Sequence, residues 1–179
     1  GSGIVAAKQL HGKELSYNNI LDADAAWTAA ADFPEPAVAV VKHTNPCGLA
    51  THPNVAEAYR RAHAGDPVSA FGGILGFNRE VTLEAAEALR AVFYEVIVAP
   101  AYTPEALEVL TKKRDLRILQ PADPDGLLGV LEVRHVSGGA LVQESDVPKA
   151  KASSWTVATG RQPSEGEWDD LVFAWRAVK

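Results

Sequence analysis

A chain of 179 residues that is 47% hydrophobic and 22% charged has the apolar material for one globular domain with a core, and two full domains would be a squeeze. Its formal net charge of -6 disfavours a general nucleic-acid binder, which sets clustered Lys and Arg against phosphates, but leaves room for small anions wherever cations are concentrated. One Cys excludes an internal disulfide, and no run approaches the ~18 apolar residues of a membrane span, so a soluble cytoplasmic protein is expected.

Gly1-Ser2-Gly3 reads as a vector-derived remnant, with a lead-in to residue 8, and the absence of any Met suggests a piece of a longer protein. Residues 9–179 are then expected to form a single unit. Early in it, "LSYNN" concentrates directional hydrogen-bonding side chains, Ser16, Tyr17, Asn18 and Asn19, that either hold a loop together or line a polar pocket. "LDADAAWTAAADF" predicts a helix with two acids in its first turn, where they complement the helix dipole. "AVAVVKH", from Ala37, is apolar, β-branched and fenced by Pro34 and Pro36, which predicts a buried strand. "TNPCG" then predicts a turn.

A helix is expected from about Asn54, with Val55, Ala58, Tyr59 and Ala62 on one face. "GGILGFN" predicts a strand from Gly72, and Leu83, Ala86, Leu89 and Phe93 mark a helical stripe ending near Tyr94. "VIVAP" predicts the next strand, Thr103 caps a helix that opens with Pro104, and "LRILQ" continues the alternation. Beyond it, "PADPDGLLG" is turn-rich, "VLEVRHV" and "GALVQ" predict strands around Gly138-Gly139, and residues 144–163 are expected to be irregular. Ser164 and Glu167 have capping-box spacing, and Trp168, Leu171, Val172 and Trp175 share a helical face large enough to pack on material beyond this sequence. Strands alternating with amphipathic helices predict an α/β layered fold.

Lys42 and His43 stand where a buried strand ends, and in open α/β sheets ligands bind outside the carboxyl ends of strands. A His there can serve as a general base and an adjacent cation can stabilise an oxyanion, although ordinary strand ends also carry solvated Lys and His. Neighbours in a strand point to opposite faces, so both reach one substrate only where the chain turns. Pro46-Cys47 imitates half of a zinc-deaminase motif, but position 50 is Ala and there is neither a His-x-Glu nor a second Cys, so no metal site is expected. Cys47 itself suits a small packed residue better than a nucleophile. Gly72 and Gly73 permit close backbone approach to a ligand or serve a tight turn. Glu95 is either a hydrogen-bond acceptor for an amine or amide, or a solvated acid at a helix end.

Six stretches in order, "KELSYNNILDADAAW", "VVKHTNPCG", "DPVSAFGGILGFNRE", "EVIVAP", the Gly-Gly before "ALVQ", and "RQPSE" to "LVFAW", resemble the transformylase part of the bifunctional AICAR formyltransferase/IMP cyclohydrolase family. The resemblance runs from about Gln9 to Lys179 and implies one transformylase subdomain, with a fold similar to cytidine deaminases: a mixed sheet in a three-layer α/β/α arrangement. It implies that the AICAR amine attacks the formyl group of 10-formyltetrahydrofolate, a co-substrate, with no metal. By the family pattern His43 accepts the proton, and Lys42 stabilises the developing charge and donates a proton to the departing folate nitrogen. Gly72 and Glu95 match AICAR-contacting positions, and Asn45, Ser69 and Phe71 fall in the same substrate-binding stretches. The cyclohydrolase domain, the second transformylase half and a homodimer partner are the implied missing partners, with no nucleic acid and no membrane. The competing expectations are a non-catalytic nucleotide-binding or dimerisation module of the same fold and, more distantly, a zinc deaminase.

Overall fold

The computed structural model describes residues 3–122, 131–146 and 152–178, and most of "PADPDGLLG" lies outside them. The chain divides into two compact units, Gly1–Gly126 and Leu127–Lys179.

The first unit is an α/β fold on a six-stranded mixed sheet. After a 3-10 turn at Ile4–Ala6, the elements are β1 (Lys8–His11), α1 (Tyr17–Ala31), β2 (Ala37–Lys42), β3 (Asn45–Thr51), α2 (Val55–Gly65), α3 (Pro67–Ala70), β4 (Gly73–Phe77), α4 (Leu83–Leu89), β5 (Tyr94–Val98), α5 (Pro104–Leu110) and β6 (Arg117–Gln120). The sheet order is β1-β6-β5-β4-β2-β3, with β4, β5 and β6 parallel and the other pairings antiparallel. Because β2 is buried on both faces, its apolar residues run without alternation from Ala37 to Val41.

Val38, Val40, Leu75, Phe77, Ile97 and Ile118 turn one face of the sheet to a core shared with α2, α4 and α5. Helix α1 covers the other face, and its backbone comes so close to β4 that a Cβ added at Gly76 would lie 2.1 Å from the Ala26 carbonyl oxygen. Neither backbone can yield without moving the helix off the sheet. Gly76→Ala is therefore expected to destabilise the fold by about 1–3 kcal/mol, read as a lower midpoint in urea unfolding with an unchanged slope.

Three local expectations are corrected, and one strand is added. Helix α1 starts at Tyr17, because the Ser16 hydroxyl accepts from Asn19 N while the Asn19 side chain accepts from Ser16 N, a reciprocal cap that closes the "SYNN" run into the first turn. Asp22 and Asp24 consequently fall beyond that turn. "NPCGLAT" is strand β3 rather than a turn, and Pro46 is tolerated because β3 is an edge strand with one unpaired side. Helix α4 stops at Leu89, leaving Phe93 outside it, since Tyr94 is already paired with Gly73 as the start of β5. Strand β1, a four-residue polar edge, was not anticipated.

The second unit contains an antiparallel hairpin of β7 (Leu131–Val136) and β8 (Gly139–Glu144), turned at Gly138 with φ 83°, and helix α6 (Glu165–Ala177). The Ser164 and Glu167 capping box forms as predicted. Arg161 grips the Glu167 carboxylate at 2.9 and 3.0 Å and, with the Ser164 donors, lowers its pKa to about 2. Trp155 packs against Trp168 and Trp175, with ring centroids 6.1 and 5.5 Å away, yet Trp175 remains 63% exposed. Among the described residues of the whole chain, no helix is long and apolar enough to cross a membrane.

Candidate active site

The direction of β2 decides where the candidate residues gather. It runs antiparallel to β4, pairing Val41 with Ile74, while Gly73 pairs with Tyr94 and Val96 with Arg117. The carboxyl end of β2 thus meets the amino ends of β4, β5 and β6. The general rule that placed a ligand outside the carboxyl ends of parallel strands points to the opposite edge, because it presumes that the strand carrying Lys42 and His43 is one of the parallel set.

The chain turns at His43 and Thr44. Lys42 pairs directly with Asn45, so these two residues form the whole loop of the β2-β3 hairpin. Both adopt left-handed backbone, with φ 54° and 61°. Two-residue hairpin loops of this hand favour Asn and Gly, and a β-branched Thr there is strained by roughly 1–2 kcal/mol. The Asp22 carboxylate supports the turn: it accepts the His43 amide at 3.2 Å with one oxygen and the Thr44 amide at 2.7 Å with the other. Asn45 Nδ2 and the Thr44 hydroxyl both donate to the His43 carbonyl, at 2.8 and 2.7 Å. The His43 ring itself is exposed, with no hydrogen bond to it among the described residues.

Lys42 Nζ reaches across to the Phe71 carbonyl at 2.8 Å, tying the end of β2 to the loop before β4. Gly72 follows with φ 73°, donating its N–H to the Phe93 carbonyl at 2.8 Å. Phe71 is 61% exposed and rests on Phe93, ring centroids 5.4 Å apart. On β5, the Glu95 carboxylate accepts from Asn19 Nδ2 at 2.8 Å and lies 3.7 Å from Arg117 Nη1, which sits beside it on β6. Glu95 is therefore a half-buried strand residue with defined partners, not an acid at a helix end. Lys42, His43, Phe71, Gly72 and Glu95 collect at one edge of the sheet. The side chains of Asn45 and Ser69 are engaged locally: Asn45 inside the turn, and Ser69 by donating to Asp66 at 2.6 Å, the residue that caps α3.

The model of the AICARFT/IMPCHase bienzyme matches residues 1–179, the whole chain. The chain belongs to the AICARFT/IMPCHase bienzyme family. It is 50% identical over 99% of its length to the bifunctional purine biosynthesis protein PurH of Mycobacterium marinum, and 49% identical over the same share to that of Mycobacterium ulcerans. In both cases the match spans 34% of the relative, so the chain covers about a third of the length of these relatives.

Three residues of this AICARFT/IMPCHase chain join the site without having been singled out for it: Asp22, Arg117 and, as the partner of Glu95, Asn19. Asn19 belonged to the polar run already noted. Asp22 and Arg117 offered no signal, since one works from a helix 21 residues before the turn and the other depends on strand register. Cys47 lies on β3, where its thiol donates to the Val40 carbonyl at 3.4 Å and burial raises its pKa, away from the thiolate that nucleophilic chemistry needs. Behind the hairpin, the buried Tyr94 hydroxyl contacts the Tyr59 hydroxyl and His63 Nδ1, each at 3.1 Å, and burial drives the Tyr94 pKa far above its usual range. Both Tyr rings stay neutral hydrogen-bonding groups there. Among the described residues, no three His, Cys, Asp or Glu side chains gather as a metal site.

Proposed function

We propose that this chain forms one subdomain of the transformylase part of a bifunctional purine-biosynthesis enzyme, and that it takes part in moving a formyl group from 10-formyltetrahydrofolate to the amine of AICAR. The observation that carries the reading is an exposed His43 ring, held on a strained and braced turn, next to a Lys42 whose amine is fixed beside the Gly72 loop. Strain of this kind persists where the surroundings enforce it, and such positions concentrate at functional sites.

The AICAR amine is conjugated to its ring and is a weak nucleophile. Its nitrogen bonds to the formyl carbon, the carbonyl electrons move onto oxygen, and His43 takes the proton that the amine loses. The Lys42 ammonium stabilises the oxyanion. As the oxyanion collapses, the bond from the formyl carbon to the folate nitrogen breaks, and that nitrogen receives a proton from Lys42. Gly72 offers backbone at close range and Glu95 a carboxylate for the nucleotide. The relatives extend about twice as far again outside the matched segment, and those portions, together with a second copy, are assigned the remaining nucleotide and folate contacts.

The test is formyl transfer by a full-length protein carrying this chain, with and without the paired replacements Lys42→Ala and His43→Ala, alongside the 179-residue chain. Loss of transfer in the double variant supports the reading. Wild-type transfer in it would leave the chain a nucleotide-binding or dimerisation module, with the chemistry elsewhere.

A further inference from the structure

We infer that Asp22 is a positioning residue of the formyl-transfer site, fixing the turn that carries His43 by holding two consecutive backbone amides with one carboxylate; this rests on the function proposed above. Three observations meet at this carboxylate. It is the acceptor for both loop amides of the hairpin, at 3.2 and 2.7 Å, one to each oxygen. Those amides belong to His43 and Thr44, which among the described residues are the non-glycine positions with positive φ, so the bonds fall where the described backbone has most to gain by relaxing. Asp22 is also anchored: it lies on α1, whose neighbouring residues Ala23, Ala26 and Trp27 are buried against the sheet.

Helix geometry adds a second function to the same surface. Asn19 and Asp22 are three residues apart and so lie on one face of α1. Asn19 holds the Glu95 carboxylate at 2.8 Å while Asp22 holds the His43 turn. One rigid helix therefore sets the spacing between the turn that presents the base and the carboxylate assigned to the nucleotide. Removing Asp22 deletes neither the His43 ring nor any proposed substrate contact, but frees the turn to relax toward less strained backbone. A displacement on the order of 1 Å at a reacting group costs up to ~10²-fold in rate.

The experiment compares Asp22→Ala and Asp22→Asn in the full-length protein carrying this chain, reading kcat and KM for formyl transfer and hydrogen exchange of the peptide spanning the β2-β3 turn. In Asp22→Ala, kcat is expected to fall roughly 10–100-fold with KM changed by less than about 3-fold. Exchange should quicken at the turn and stay unchanged in peptides covering β4 and β5. Asp22→Asn keeps one acceptor oxygen in the same shape and should recover part of the kcat, and it carries the comparison if the Ala variant fails to fold. Unchanged kcat in both variants, or a loss of kcat without faster exchange confined to the turn, overturns the inference. His43→Ala is measured in parallel. If it abolishes transfer while the Asp22 variants remain at wild-type rate, only the positioning role fails; if it transfers normally, the function proposed for the site fails and the positioning role with it.

Discussion

His43→Ala is expected to lower kcat for formyl transfer by about 10²–10⁴-fold, the usual contribution of a positioned proton acceptor, with little change in KM. The size follows from the substrate. A conjugated amine gains nucleophilicity mainly as its proton departs, so without an acceptor in reach the attack stalls. The structural consequences should be small, because the ring is exposed and makes no hydrogen bond among the described residues, while the turn is held through backbone atoms that survive the substitution. Left-handed backbone at position 43 is the one complication, since Ala fits it less well than the enriched types. His43→Asn answers it, because Asn tolerates that conformation and has no basic nitrogen. Both variants should lose transfer to a similar degree, and His43→Asn should melt within about 0.5 kcal/mol of wild type, as exposed substitutions do. Substantial activity in the Asn variant would show that a different group accepts the proton.

What the sequence discloses about this fold depends on how local the responsible forces are. Strand β2 was legible because burial on both faces turns "AVAVV" into an unbroken apolar run, and α5 because Thr103 and Pro104 are capping chemistry written in adjacent residues. Strand β3 was not, since Pro46 and Gly48 look like turn residues until two tertiary facts are known. Its outer side is unpaired, so Pro loses nothing, and the Ala62 carbonyl approaches Gly48 so closely that no side chain fits there. The same division runs through the candidate site. The Lys42-His43 pair was singled out as a candidate because it ends a buried strand, although the rule behind that choice points to the opposite edge of the sheet, whereas the brace at Asp22 and the pairing of Arg117 with Glu95 arise from helix docking and strand register. The turn was predicted one step late, after His43, because nothing in "KHTN" supplies the Gly that a left-handed loop ordinarily uses.

The antiparallel course of β2 makes Lys42 the second residue with a large expected effect. Its carboxyl end is delivered to the Gly72 loop, where the ammonium spans from β2 to the Phe71 carbonyl. That bond uses one of three ammonium donors and fixes the charge in place, so two donors stay available to a developing oxyanion. Lys42→Met keeps the length and the apolar stem while deleting the charge, and it should lower kcat by roughly 10²–10³-fold, the range found when an oxyanion donor is removed. Lys42→Arg keeps the charge but replaces a compact ammonium by a planar fork whose donors cannot occupy the same point, so it should recover only a minor part of the lost rate. A purely structural tether predicts a different pattern. In that case Arg, still able to donate to the Phe71 carbonyl, would restore nearly full activity, and the loss in Lys42→Met would follow faster hydrogen exchange of the loop around Gly72. Transfer by Lys42→Met within about 3-fold of wild type would remove Lys42 from the chemistry and leave the oxyanion to donors outside this chain.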